Sequence, residues 1–435
     1  MSFPHFAVLL IAGLTYLGVA LGYFPGLRMN RASISLVGAA ACVLSGVFSL
    51  ERAWTFVDGP TLVLLLSMMI LNANLAFSGF FRLLAGAILS RLRSPHALLL
   101  GIVASSGLLS ALFLNDTVVL MLTPLVAVAC IRLNRPPTPY LIGLACAANA
   151  GSVATLTGNP QNILIGVSSK IGFLEFAAQL APVAGVAMLL TYLCVVLAYP
   201  REFLKRLSKA EPLEHKVLPS TRVHRPHLIR SLLAVVGLLT ALLLGADIAS
   251  SALIAATFLL VTRRVRAERV FAEVNWNLLV LFAGLFVVTG ALEVSGLSND
   301  LFALLAPLTH AGTLALSSVT AVLSNVVSNV PAVLLFRPVV PSLGNPEHVW
   351  LTLAMSSTLA GNLTLLGSVA NLIVAEEAAR HGAKVTFLEY LKVGCRSPSR
   401  ACCSGPGGCP ARLKRICFLD VSGQTSHPRA LNLKA

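Results

Sequence analysis

Charged residues are scarce in this sequence: they make up 11% of its 435 residues, and only 17 residues are Asp or Glu. A soluble domain usually carries about 25% charged residues and is about 45–50% apolar, whereas this chain is 56% hydrophobic. This scarcity excludes a soluble fold, because several apolar cores would have to form with almost no polar surface. The longest hydrophilic connection, Pro200–His227, is also too short to fold a signalling domain.

Two further kinds of pattern are absent from the sequence, and their absence excludes two classes of function. The net charge is +15, yet no basic tract with interleaved aromatics occurs, so we expect no nucleic-acid partner. The sequence shows no Ser/His/Asp, Cys/His or metal-ligand pattern, and the five cysteines after Gly394 fit no zinc spacing. We therefore predict neither an enzyme nor a bound cofactor.

Long apolar runs fill most of the chain. Each has about 18 residues or more, which as a helix crosses roughly 30 Å of hydrocarbon. Examples are Phe6–Phe24, Thr61–Phe77 and Phe176–Ala198. They predict an all-α, polytopic membrane protein embedded in a lipid bilayer. The first run lacks a basic leader and a cleavage site, so we expect it to be retained.

Polar residues and glycines recur in the same order at an offset of roughly 215 residues, which indicates an internal duplication. Chance similarity between apolar stretches does not keep such residues in order. The matched pairs are Glu51 with Glu268, Ser78 with Ser295, Asn115 with Asn329, Gly158 with Gly367, Asn162 with Asn371 and Phe173 with Phe387.

The basic residues indicate how the two copies are oriented. If each copy contains a re-entrant hairpin, the first at Pro95–Arg135, then 22 of the 32 Lys and Arg residues lie on one face and two on the other. The copies then enter the membrane from opposite sides, as inverted repeats do. We predict a first repeat over residues 1–199, a cytoplasmic linker over 200–230 and a second repeat over 231–394, in a bacterial inner membrane.

The tail, residues 395–435, is polar and rich in cysteine. In the first repeat the FLEF motif leads into an apolar span, whereas after FLEY in the second the expected last helix is missing. We expect a frameshifted or truncated C-terminus here, or alternatively a genuinely divergent tail, and assign it no function.

Four polar clusters interrupt the apolar segments, two in each repeat. Backbone freed by broken helices is tolerated at bilayer depth only around a protected cavity, which is usually functional. The alternative is that these residues only pack helices together. The predicted substrate- and ion-binding residues in the clusters are Asn115, Asp116, Thr117, Thr155, Thr157, Gly158, Asn159, Asn162, Asn325, Ser328, Asn329, Asn362, Thr364, Gly367, Ser368 and Asn371.

The chemistry of these clusters suits a small anion and a coupling cation. Free N–H groups at the starts of the half-helices favour an anion. Carbonyl, Asn, Ser and Thr oxygens suit Na⁺, which we place near Asn115, Asp116 and Asn329. Asp116 is the sharpest candidate, because an ionisable residue inside the membrane is costly; it would bind the coupling cation, carry a proton or simply cap a half-helix.

These motifs resemble the ion-transporter superfamily that includes arsenical-pump membrane proteins, NhaD-type antiporters and citrate-transporter-like permeases. Asn115-Asp116-Thr117 with Leu122-Thr123-Pro124 is similar to its N-D-x…L-T-P signature. Two further elements, Gly158–Asn162 and Gly361–Thr364 with Gly367-Ser368, resemble its G-[ST/N]-P-x-N and A-N-L-T…G-S elements. In the sodium-coupled dicarboxylate branch both hairpin tips read Ser-Asn-Thr, a pattern from which Asp116 and Val330 depart.

The resemblance implies two inverted repeats whose hairpins and unwound helices meet at one site, often within a homodimer. It also implies Na⁺- or H⁺-coupled movement of an inorganic or carboxylate anion. The alternatives are an arsenite or antimonite efflux permease, then a Na⁺/H⁺ antiporter, then a non-transporting membrane sensor.

Overall fold

The computed structural model describes residues 3–22, 28–91, 94–203, 223–262, 265–297, 303, 307, 312–342 and 345–394. Across these residues all regular secondary structure is helical. The predicted tail and most of the predicted linker lie outside the described residues. The helices in chain order are α1 (Phe3–Leu21), α2 (Arg31–Leu44), α3 (Leu50–Phe56), α4 (Gly59–Ser78), α5 (Phe80–Arg91), α6 (Pro95–Leu112), α7 (Asn115–Arg132), α8 (Pro137–Ser152), α9 (Pro160–Ser169), α10 (Phe173–Ala198), α11 (Pro200–Phe203), α12 (Arg225–Leu243), α13 (Ile248–Val261), α14 (Ala267–Ala272), α15 (Trp276–Val294), α16 (Thr313–Val327), α17 (Asn329–Phe336), α18 (Pro346–Ala360), α19 (Val369–Arg380) and α20 (Phe387–Gly394).

Six of the described helices are long and apolar enough to cross a membrane: α4, α6, α7, α10, α12 and α15. The sequence sets the ends of α4 clearly. The Asp58 side chain accepts a hydrogen bond from the Thr61 N–H at its start, and Gly79, at φ +84°, ends it in the left-handed conformation that glycine tolerates. The polytopic all-α prediction is confirmed.

The two halves pack as inverted repeats. Helices α2 and α4 of the first half correspond to α13 and α15 of the second, and the pairing of α2 with α15 is repeated by α4 with α13. In the same way α7 packs on α19 while α9 packs on α17, and α6 on α8 while α16 packs on α18. Each contact therefore occurs twice with the halves exchanged, which confirms the predicted inverted-repeat fold.

The helices form two groups by their contacts. A scaffold group contains α1–α4, α12, α13 and α15, and a hairpin group contains α6–α10 and α16–α20. The groups meet where α4 contacts α9, α15 contacts α17, α1 contacts α16 and α10 contacts α12. A cavity with several polar side chains in its wall lies along this boundary.

The helices are interrupted at all four predicted places. Only Phe113 and Leu114 separate α6 from α7, so these helices form a hairpin whose far ends lie on one side. Helices α16 and α17 meet at Ser328, whose φ of +77° is a strained backbone conformation for a residue other than glycine. Residues 153–159 separate α8 from α9, and residues 361–368 separate α18 from α19.

Candidate functional site

Two asparagines hold the unwound segments, one in each repeat. The Asn162 side-chain amide donates to the backbone carbonyls of Ser152 and Thr155, both at 3.0 Å. The Asn371 amide donates to Gly361 at 2.7 Å and to Thr364 at 3.1 Å. The four carbonyls occupy matching positions in the two repeats. Each asparagine therefore ties two carbonyls of the break to the half-helix that follows it.

Asn149, near the end of α8, links the first repeat to the second. Its Nδ2 donates to Oδ1 of Asn362 and of Asn371, each at 2.9 Å. Its Oδ1 accepts from Asn115 Nδ2 and from Ser368 Oγ, each at 3.1 Å. This residue was not among the predicted site residues, although its sequence context is a signal: an asparagine inside the apolar run GLACAANAG costs free energy unless it is paired.

Thr358 occupies the matching position in the second repeat. Its hydroxyl oxygen accepts from Asn159 Nδ2 at 3.1 Å and from Gln161 Nε2 at 3.0 Å. The second repeat thus receives hydrogen bonds from the break in the first, just as Asn149 in the first repeat binds the break in the second. Neither Thr358 nor Gln161 was among the predicted site residues.

The first hairpin docks onto the first break through backbone contacts. The Asn115 N–H donates to the Gly158 carbonyl at 3.0 Å, and the Thr155 hydroxyl donates to the Ala111 carbonyl. A Cβ on Gly158 would lie 2.3 Å from the Ser152 carbonyl oxygen and 2.8 Å from that of Ser110. Only glycine allows this approach. Thr157 Oγ1 lies 3.4 Å from Thr155 Oγ1 within the same buried cluster.

The second hairpin docks similarly onto the second break, but through side chains. Asn325 Nδ2 donates to the Ala360 carbonyl at 3.0 Å, and the Thr364 hydroxyl donates to Asn325 Oδ1 at 3.2 Å. Gly367 lies so close that a Cβ there would sit 2.7 Å from Asn325 Oδ1. At the tip, Ser324 Oγ donates to Asn329 Oδ1 at 2.5 Å.

The hairpin tips and the second break line one cavity of about 590 Å³. Five of the predicted site residues line it: Asn115, Asp116, Ser328, Asn329 and Ser368. Thr117 lines a smaller cavity of about 120 Å³ that also reaches Asp116. The remaining predicted residues do not line either cavity and belong to the hydrogen-bonded segments that support the lining: Thr155, Thr157, Gly158, Asn159, Asn162, Asn325, Asn362, Thr364, Gly367 and Asn371.

Four half-helices begin at this cavity. Asn115, Pro160, Asn329 and Val369 are the first residues of α7, α9, α17 and α19, and all of them line it. Four positive dipole ends therefore lie beside one space. The first-turn N–H groups of Asn115, Asp116 and Asn162 already have partners, so the dipoles rather than four full sets of free donors characterise the site. Such dipole ends favour the binding of an anion.

Asp116 lies in the first turn of α7 and is shared by the two cavities. Within the described chain its carboxylate takes part in no ion pair or side-chain hydrogen bond. Its symmetry mate Val330 also lines the larger cavity. The site therefore contains one acid in one half and none at the matching position of the other.

Polar residues of the scaffold group complete the cavity on one side. The exposed side chains of Asn30, Asn275 and Asn277 lie at its mouth together with half-buried Arg31. Asn30 Nδ2 donates to Asn277 Oδ1 at 3.4 Å. Arg31 was not among the predicted site residues; it was only one of the 22 cations assigned to one face.

On the opposite face, an ion pair joins the two helix groups. Arg337, which directly follows α17, binds Asp58 at the start of α4 with an N–O distance of 2.7 Å. The guanidinium also lies 5.1 Å from the centre of the Phe286 ring in α15, a cation–π contact. Of the ion pairs in the described residues, only this one connects the scaffold group with the hairpin group.

Inverted repeats with paired hairpins and broken helices around one cavity define a multi-pass membrane transporter fold. Comparison with known proteins agrees. The citrate transporter family (CitMHS) matches residues 8–360, and the chain belongs to this family. Its substrate is thus a small molecule, carried across a lipid bilayer.

Individual relatives are also transporters or membrane proteins. The chain is 30% identical to the silicon efflux transporter LSI3 of Oryza sativa subsp. japonica, over 86% of this chain and 91% of that protein. It is 30% identical to the inner membrane protein YbiR of Escherichia coli, over 75% of this chain and 82% of that one. The crystal structure of the Alcanivorax borkumensis YdaH transporter shares the fold, with a TM-score of 0.57, 18% identity and coverage of 91% and 94%.

Proposed function

We propose that this chain is a secondary active transporter of a bacterial inner membrane that moves a small inorganic or carboxylate anion, coupled to Na⁺ or H⁺. The observation that carries the proposal is the convergence of the starts of α7, α9, α17 and α19 on one cavity. Amide donors and helix dipoles bind an anion without a dedicated cationic pocket, and the small side chains let the substrate approach the backbone.

Asp116 is the coupling residue in this proposal. It is the one acid in the described lining of the larger cavity, and it forms no ion pair with a described cation. Na⁺ would lie between the Asp116 carboxylate and the amide oxygens of Asn115 and Asn329, each of which already accepts one hydrogen bond. An amide oxygen has a second lone pair, so both remain able to bind a cation. A proton would need the carboxylate alone.

Alternating access follows from the position of the cavity between the two groups. In this conformation the cavity reaches the face where the sequence concentrates cations, which the positive-inside rule assigns to the cytoplasm. The Arg337–Asp58 pair joins the groups on the other face. Movement of the hairpin group against the scaffold group would break that pair and open the cavity outwards.

A homodimer held by the scaffold group is part of the same proposal. Helix α13 presents exposed Ile254, Phe258 and Val261 on its outer side. Such a surface suits either lipid or a second subunit.

A second candidate is the efflux of a small uncharged oxyacid. It is supported by the similarity to LSI3, which is a silicon efflux transporter, and by the resemblance to arsenical pumps. Most of the polar groups in the cavity wall are amides and hydroxyls, which hydrogen-bond a hydroxylated neutral solute as readily as an anion. Arsenite or antimonite would be substrates of this kind.

Flux into proteoliposomes tests the proposal. The panel contains sulfate, succinate, citrate and arsenite, each with an inward Na⁺ gradient, a pH gradient or no gradient. We expect gradient-driven uptake of at least one anion, and unchanged uptake in Asn74→Ala, whose buried side chain bonds only its own helix at Ile70. Uptake of arsenite alone would favour the second candidate, and no uptake above protein-free liposomes would contradict both.

A further inference from the structure

Arg31 is the one cation in the described lining of the larger cavity, where it faces the same space as Asp116. Its guanidinium lies beside the end of α1, since a Cβ on Gly22 would be 3.6 Å from Arg31 Nε. Within the described residues the side chain makes no hydrogen bond or ion pair. A half-buried guanidinium with donors to spare is a binding group for an anion.

Because the repeats are inverted, the residue that matches Arg31 lies at the start of α13, on the other face of the membrane. Helices α2 and α13 correspond at an offset of 217, and each has 14 residues. Asn30 caps α2 by accepting from the Ser33 N–H, and Asp247 caps α13 by accepting from the Ser250 N–H. The residue that follows the cap is Arg31 in α2 but Ile248 in α13.

The two faces therefore differ in charge. The backbone N–H and the hydroxyl of Ser250 lower the pKa of Asp247, so it is ionised at neutral pH. A carboxylate and an isoleucine on the outer face replace an amide and a guanidinium on the cytoplasmic face. An anion that approaches from the cytoplasm meets a cation at this position, whereas one that approaches from outside meets an acid.

We propose that Arg31 is a specificity-determining residue that makes the cytoplasmic face the high-affinity side for loading the anion. This inference rests on the proposed function, and it adds a direction: the transporter is built to take up its anion from the cytoplasm. Because α2 belongs to the scaffold group, Arg31 contacts the substrate only while the cavity faces inwards. The residue thus affects binding from one side and leaves binding from the other unchanged.

The competing explanation is that Arg31 serves only to retain its loop in the cytoplasm. Arg28 separates the two explanations, because it lies in the same loop, is exposed and is absent from the cavity lining. Arg28→Gln removes the same charge from the same face. If Arg31 acts only on membrane topology, Arg31→Gln and Arg28→Gln should change transport in the same way. If Arg31 binds the anion in the cavity, only Arg31→Gln should lower the affinity for the anion.

The experiment measures half-saturation from each face separately. Inside-out and right-side-out vesicles containing the wild type, Arg31→Gln, Arg31→Lys or Arg28→Gln are supplied with citrate or sulfate as anionic probes and arsenite as an uncharged probe. For Arg31→Gln we expect the cytoplasmic half-saturation concentration of the anion to rise about 10- to 100-fold, the loss expected for one charge-assisted contact. The value from the outer face should stay within about twofold, as should both values for Arg28→Gln.

Further readouts separate the outcomes. Arg31→Lys should recover part of the affinity, and arsenite movement, where present, should not respond to any of the variants. Protease access to the connection between the repeats confirms that Arg31→Gln retains its topology. Equal shifts in Arg31→Gln and Arg28→Gln, or an equal loss from both faces, would overturn the inference while leaving the proposed function intact. Where the wild type moves succinate but neither citrate nor sulfate, succinate is the anionic probe; a wild type that moves none of the three overturns both.

Discussion

Replacing Asn149 by alanine should destabilise the protein more than removing any other single buried amide in the described chain. The substitution deletes four hydrogen bonds, to Asn115, Asn362, Ser368 and Asn371, at a site 1% exposed. Side-chain hydrogen bonds inside membrane proteins average about 0.6 kcal/mol each, so the loss comes to about 2.4 kcal/mol. That corresponds to about a 50-fold change in the unfolding equilibrium constant.

The assay is equilibrium unfolding in mixed micelles with a denaturing detergent, and the matched control is Asn74→Ala. Asn74 is also an asparagine in an apolar helix, 2% exposed, with one hydrogen bond to the Ile70 carbonyl at 2.8 Å. Its loss should cost about 0.6 kcal/mol. If Asn149→Ala proves no more destabilising than Asn74→Ala, the network between the two repeats does not hold the site together.

Two more substitutions test the close packing at Gly158 and the Arg337–Asp58 ion pair that joins the two helix groups. Gly158→Ala places a Cβ 2.3 Å from the Ser152 oxygen and should cost about 1–3 kcal/mol in the same unfolding assay, whereas Gly185→Ala meets nothing within 4 Å and should be nearly neutral. Arg337→Gln removes a partly exposed ion pair worth about 1 kcal/mol, so labelling of Val330→Cys from the outer face should rise about fivefold. The double reversal Asp58→Arg with Arg337→Asp should restore the wild-type labelling, and persistent labelling would show that the pair is not a gate.

The fold could be read from the sequence because its signals are local and repeated. Apolar runs, basic connections and the recurrence of Asn115, Gly158 and Asn162 at fixed offsets determine the spans, the inverted repeats and the places where helices break. The strained backbone at Ser328 has no signature in the sequence, since serine is common at helix starts and its positive φ is a feature of the folded structure.

The residues that line the cavity were harder to predict from the sequence than the fold. Residues were predicted by their position in a break, yet the structure divides them into five that line the larger cavity and others that support it. Which side of an unwound segment faces the cavity depends on packing between repeats, and no local pattern encodes that. Arg31 and Asn149 were missed for the same reason, since the residues that surround each are distant in the sequence. Arg31 shares its cavity with Asn115 and Asp116, and Asn149 bonds Asn362 and Asn371.

The coupling role of Asp116 is the most direct test of the transport site. Asp116→Asn keeps the shape of the side chain and removes its charge, so the protein should fold with wild-type stability and still exchange labelled for unlabelled substrate. Accumulation driven by a Na⁺ or pH gradient should fall to the level reached without a gradient. Accumulation by Asp116→Asn at the wild-type ratio would contradict the account, because the one acid in the described lining of the larger cavity would then have no part in coupling.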